Sequence, residues 1–113
     1  MTVSVYIVYI LFAVVIVFYF ITKFNKSKAA SEIIKNGGIV IDVRSPQEFK
    51  RGHFDNSINI PLNDLANQVT KIKSYKNGIV VVCASGARSA QARNILSKNG
   101  ISAYNGGAWK NLN

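Results

Sequence analysis

The residues best placed to do chemistry lie in "IVVVCASGARSAQARNIL", residues 79–96. Cys83 is the only cysteine of the 113 residues. It stands where an apolar β-type run meets a loop of small residues, with Arg88 five positions on. Most free cysteines are small buried hydrophobes, but this position argues for more. In open parallel sheets, ligands bind beyond the carboxyl ends of the strands, where loops lead into helices. Ala84, Ser85, Gly86 and Ala87 have minimal bulk, so the loop can curl with its N–H groups pointing inward. Such a concavity at a helix N-terminus binds anions and stabilises a thiolate. Arg88 would add a fixed positive charge at the rim. Ser85 and Ser89 are able to hydrogen-bond a bound anion, and Ser89 has the alternative of capping the helix. The chemistry expected is that of a low-pKa thiol holding a negatively charged ligand.

The elements that must position this loop follow from patterning. "IVIDV", "INI", "IVVV" and "ISAY" are short, β-branched and bounded by Gly, Pro or Asn, which predicts four strands. Ala30, Ile33 and Ile34 recur at helical spacing and stop at Gly37-Gly38, a normal helix exit. Leu62, Leu65, Ala66, Val69 and Ile72 do the same between the second and third strands, and Ala92, Ile95 and Leu96 after the third. Strands alternating with helices imply crossover connections, so the expected class is α/β: a small parallel sheet with helices on both faces. The fully apolar "IVVV" suits a central strand covered on both sides. No internal repeat or low-complexity tract is present.

The N-terminal segment is of another kind. Residues 1–22 carry no charged side chain and are apolar almost throughout, the length a helix needs to cross a hydrocarbon core of about 30 Å. Tyr6 and Tyr19 sit near its two ends, where amphipathic rings prefer to lie. Lys23, Lys26 and Lys28 follow at once, so the positive-inside rule places the N-terminus outside and the rest in the cytoplasm, at the cell membrane. A cleaved signal peptide would have a basic n-region and an apolar run of about 7–15 residues; this segment has neither, although Ser27 to Ala29 offers a small-x-small site. The organisation expected is a single-pass transmembrane helix over 1–22, a basic linker over 23–28 and a domain over 29–113. About ninety residues suffice for a small domain that folds alone.

Composition narrows the partners. Fourteen Lys and Arg against five Asp and Glu give a formal net charge of +9, which favours anionic partners. One cysteine forms no internal disulfide, and one His with one Cys makes no metal-ligand cluster, so neither a disulfide framework nor a metal is expected. Lys71, Lys73 and Lys76 form a basic edge without interleaved aromatics or a nucleic-acid motif, which reads as a solvated face.

Three ordered motifs now carry a resemblance. "IDVRSPQEFKRGHFDNSINIPL" is similar to the single-domain rhodanese pattern of aspartate-valine-arginine, glycine-histidine and asparagine-isoleucine-proline. "VVCASGARSAQA" resembles its active-site strand, loop and helix, and "YNGGAW" its terminal glycine-glycine and tryptophan segment. They run in order from Ile39 to Leu112. The resemblance implies thiosulfate sulfurtransferase-type activity without a cofactor: the Cys83 thiolate takes a sulfane sulfur from a small anionic donor such as thiosulfate, and a thiol, protein or cyanide acceptor removes it from the persulfide. Ala84 to Ser89 (Ala84, Ser85, Gly86, Ala87, Arg88, Ser89) would bind the substrate. Related phosphatases have one more residue between cysteine and arginine, so the four here favour sulfur over phosphoryl transfer.

Other positions divide between roles. Asp42 and Arg44 should point toward the same crevice, where a salt bridge supporting the scaffold is favoured over substrate orientation. His53, the only histidine, reads as a packing and hydrogen-bonding residue, with its tautomer fixed by a backbone acceptor. Gly106, Gly107 and Trp109 should wall the loop, Trp109 either as core or as acceptor-docking surface. The family's usual first strand is not obvious before Ile39, and the sequence runs only four residues past Trp109, which shortens the last helix. No second thiol resolves the first. The alternative to an enzyme is a persulfide carrier or docking module with little turnover of free thiosulfate.

Overall fold

In the computed structural model residues 2–112 are described, except for the side chains of residues 23–27. The chain opens with one helix, α1 (Thr2–Lys35), unbroken because the segment contains neither glycine nor proline. Residues 23–28, expected as a linker, are therefore helical; the side chains of Lys23 and Lys26 lie outside the described residues, and Lys28 is exposed. Thr2–Thr22 has a mean hydropathy of 2.7 and none of its residues is buried in the fold, so α1 is long and apolar enough to cross a membrane. Its far end stops in a Schellman motif: Gly38 N–H donates to Ile33 O and Gly37 N–H to Ile34 O, with Gly37 at φ 91°.

The globular part follows: β1 (Ile39–Asp42), α2 (Pro46–Arg51), β2 (Ile58–Asn59), a 3-10 segment (Leu62–Gln68) leading into α3 (Val69–Lys73), β3 (Ile79–Cys83), α4 (Ala87–Lys98), β4 (Tyr104–Ala108) and a 3-10 turn (Trp109–Asn111). All strand pairs are parallel, in the order β2-β1-β3-β4. Ile79, Val81 and Cys83 of β3 join one core with Ile41, Leu65, Ile72, Ala92 and Leu96; Val80 and Val82 join the other with Ala30, Val40 and Leu112. Every residue of β3 is buried, as a central parallel strand covered on both faces requires. α4 packs one face and the last turns of α1 the other, so helices cover both faces as predicted.

Two predicted elements shift. The fourth strand is Tyr104–Ala108 rather than the β-branched "ISAY", because its close approach to β3 leaves no room for a side chain at position 106. A Cβ on Gly106 would fall 2.7 Å from Val80 Cγ1 and 3.0 Å from Val82 Cγ1. The ladder slips between Val81 and Val82 to accommodate this approach. The helix expected over Leu62 to Ile72 starts as a 3-10 segment and becomes α-helical only at Val69. Among the described residues no strand precedes β1.

Candidate active site

β3 delivers Cys83 to the carboxyl edge of the sheet with its side chain only 1% exposed. The chain then turns through Ala84 and Ser85 to Gly86, whose φ of 109° lies in the left-handed region that favours glycine. That turn aims the start of α4 back at the sulfur. Gly86 N–H donates to Cys83 Sγ at 2.9 Å and Ser89 N–H at 3.4 Å, while Ser89 Oγ lies 3.4 Å away. Burial alone would push the Cys83 thiol up. The Ser89 hydroxyl and the N–H groups of Ser89, Gly86 and Ser85 outweigh it, and the net shift is downward, toward thiolate. Two backbone N–H groups thus face the sulfur from the start of α4, and Ser89 is buried beside it.

The side chains of Ala84, Ser85 and Ala87 are exposed, leaving backbone to line the loop. Arg88 behaves differently from expectation. Its Nη1 and Nη2 donate to Glu48 Oε1 and Oε2 at 2.6 and 3.0 Å, a fork-to-fork pair that cancels the charge meant for the rim. Glu48 is held down from 4.5 to about 2 by the Arg88 guanidinium first and by Ser45 N–H second. α2 places Glu48 there through a capping box in which Ser45 Oγ accepts from Glu48 N–H and Glu48 Oε1 accepts from Ser45 N–H.

Asp42 and Arg44 make a buried salt bridge. Arg44 Nε donates to Asp42 Oδ1 at 2.9 Å and Nη2 to Oδ2 at 2.7 Å, while Nη2 also reaches Gly52 O at 2.7 Å. With its guanidinium 4.8 Å from the Trp109 ring centroid, Arg44 ties β1, α2 and the turn after β4 together. Asn59 Nδ2 donates to the carbonyls of Asp42 and Arg44 and fixes the same corner. His53 stacks on Phe49 at 3.8 Å, and its Nδ1–H donates to Phe49 O; these are packing and backbone contacts of the kind expected.

Sequence reasoning missed two residues. Asn105 Oδ1 accepts from Gly107 N–H at 2.9 Å and from Ser89 Oγ at 2.6 Å, so β4 determines where the Ser89 proton points. No sequence signal distinguishes this asparagine. Glu48 had one, since Ser45-Pro46-Gln47-Glu48 is a capping-box pattern, but its ion pair forty positions away had none. Among the described residues no cluster of His, Cys, Asp and Glu is suited to a metal.

Outside the cradle lies a cleft of about 410 Å³ lined by Arg44, Glu48, Arg51, Gly52, Ala84, Trp109 and Lys110. Arg44 and Glu48 are already paired, so Arg51 and Lys110 supply its uncommitted positive charge. Gly52 and Trp109 wall it, and Trp109 thus combines core packing with a face on the opening.

The family model for the rhodanese-like domain matches residues 26–111. The chain belongs to the rhodanese-like family. Among its relatives, a thiosulfate sulfurtransferase of Escherichia coli, PspE, is 36% identical over 74 residues, which are 64% of this chain and 71% of that protein. A tRNA sulfurtransferase of Thermoplasma acidophilum is 38% identical over 71 residues, 63% of this chain but only 14% of that protein. This rhodanese-like chain thus spans a small part of some relatives and most of others. A solved Escherichia coli rhodanese with anions superposes with a TM-score of 0.61 at 32% identity, covering 66% of this chain and 91% of that one. A solved reduced Bacillus anthracis CoADR-RHD gives 0.63 at 37% identity, over 71% of this chain and 14% of that one. Rhodanese relatives support sulfurtransferase or persulfide-carrier chemistry in general.

Proposed function

We propose that this rhodanese-like protein is a membrane-anchored sulfurtransferase whose covalent intermediate is a Cys83 persulfide. The observation that carries the proposal is the set of donors converging on Cys83 Sγ from Gly86 and Ser89. The ionised sulfur attacks the sulfane sulfur of a donor such as thiosulfate. A sulfur–sulfur bond forms at Sγ, the donor's own bond breaks, and sulfite leaves with the electron pair. Charge is conserved, since thiolate and thiosulfate give persulfide anion and sulfite. An acceptor thiolate or cyanide then takes the outer sulfur and returns Cys83 to its thiolate. No general base is needed, because the nucleophile is already ionised.

The anchor reading is supported by α1, which continues without a break from the apolar span into the domain, where Ala30 is fully buried. Cleavage near residue 29 would cut a helix that packs the sheet. The proposed location is the cell membrane, N-terminus out and catalytic domain in the cytoplasm. A second reading, a persulfide carrier loaded by a protein partner, is favoured by the Arg88–Glu48 pair, which removes from the rim a charge that would hold a small dianion.

Intact-mass spectrometry of the full chain in detergent, after incubation with excess thiosulfate, tests the first reading. It predicts a gain of one sulfur atom, about 32 Da, reversed by cyanide or dithiothreitol and absent in Cys83→Ser. An unmodified wild type would reject free thiosulfate as donor and leave the carrier reading.

A further inference from the structure

The direction in which the catalytic cleft faces follows from how α1 meets the sheet. The turn over residues 36–38 joins α1 to β1, and Ala30, Ile33 and Ile34 pack against the sheet, so helix and strands run antiparallel. Ile33 marks the level of the strand starts. Its carbonyl accepts from Gly38 N–H at 2.8 Å, and its Cγ2 lies 2.8 Å from where a Cβ of Gly78 would be. From Ile33 back to Thr22, where the apolar span ends, the helix rises about 16 Å at about 1.5 Å per residue. From Gly78 forward to Cys83 the strand also advances about 16 Å at about 3.3 Å per residue. Thr22 and Cys83 therefore reach similar heights, and the loops beyond β1, β3 and β4 project on the side from which the apolar helix departs.

Charge on that side is consistent with this placement. The cleft carries Arg51 and Lys110, neither in an ion pair among the described residues, and Glu48, the acid of its lining, is already bound to Arg88. We infer that α1 holds the mouth of the Cys83 cleft toward the membrane surface, with Arg51 and Lys110 on anionic lipid headgroups. Sulfur donors and acceptors then reach the thiol along the bilayer plane, which suits an acceptor thiol held at the membrane. The inference rests on the proposed anchor and adds the orientation of the site.

Single cysteines in full-length Cys83→Ser protein, labelled with a fluorophore and reconstituted in vesicles carrying a headgroup nitroxide quencher, provide the test. Ala84→Cys and Lys50→Cys report from the mouth, and Lys76→Cys and Lys98→Cys from the strand-start edge. In phosphatidylglycerol-containing vesicles, quenching should be several-fold stronger at the first pair than at the second. Replacing the anionic lipid with phosphatidylcholine should weaken quenching at the mouth at least about twofold, since Arg51 and Lys110 then lose their attraction to the surface. Protein that floats with the vesicles yet shows equal or reversed quenching would overturn the orientation while leaving the anchor intact. Quenching indifferent to lipid charge would overturn the headgroup contact. Failure to float would remove the anchor, and the orientation with it.

Discussion

The loops after β1 and after β3 emerge side by side from the same sheet edge, and in both a buried group is followed within a few residues by an arginine, yet they are finished differently. At Asp42 and Arg44 the carboxylate and guanidinium satisfy each other, and neighbouring carbonyls take up further donors. At Cys83 several donors converge on one sulfur, while Arg88 turns aside to Glu48. A site whose polar groups are all matched by protein is scaffold; a site with donors in excess around an ionisable atom is prepared for charge. Both loops carry motif residues of the family, and the balance of donors and acceptors around each separates them.

Breaking the scaffold corner should have the largest effect. Arg44→Ala leaves the Asp42 carboxylate buried and unpaired and should cost about 3–5 kcal/mol of unfolding free energy, read as a lower urea midpoint. A loss below about 1 kcal/mol would place this pair with solvent-exposed bridges instead. Ser89→Ala should act on the chemistry. Losing the hydroxyl should raise the pH midpoint of Cys83 alkylation and slow sulfur loading at neutral pH. Asn105→Ala should move that midpoint less than Ser89→Ala does, because Ser89 Oγ keeps the Gly86 carbonyl at 3.0 Å and both N–H donors stay on the sulfur. A shift as large as that of Ser89→Ala would contradict a cradle built on Ser89 and the loop N–H groups.

The smallest effect belongs to Glu48. Its carboxyl is lowered from 4.5 to about 2, so the folded state binds fewer protons than the unfolded one across that interval. The stabilisation is present above about pH 4.5 and lost as pH falls toward 2. Glu48→Gln should flatten the acid limb of the stability curve in that window and lower stability near pH 7 by the same amount, a small one because the pair is about one-third exposed and water screens it. An unaltered acid limb would show that the Arg88 pair does not persist in solution.

The loop around Cys83 was legible because its information is local. An apolar run, small residues, a glycine able to take positive φ and an amphipathic helix follow one another within "IVVVCASGARSAQARNIL". β4 was misplaced because Ile101 and Tyr104 carry strand propensity, whereas the decisive constraint is the closeness of Val80 and Val82 to Gly106, which only the packed sheet reveals. The continuity of α1 through residues 23–28 was hidden by their polarity, which resembles a linker although no residue there breaks a helix. Long-range partners were illegible for the same reason as β4: nothing in Arg88 or Ser89 indicates that Glu48 and Asn105 claim them.

The most direct measurement is a pH titration of thiolate absorbance near 240 nm on the full chain, with Cys83→Ser subtracted. A midpoint clearly below the ordinary cysteine value of about 8.5 is the expected result, because the donors from Ser89, Gly86 and Ser85 outweigh burial. A midpoint at or above that value would mean that the cradle does not hold a thiolate, and Cys83 would revert to a buried core residue.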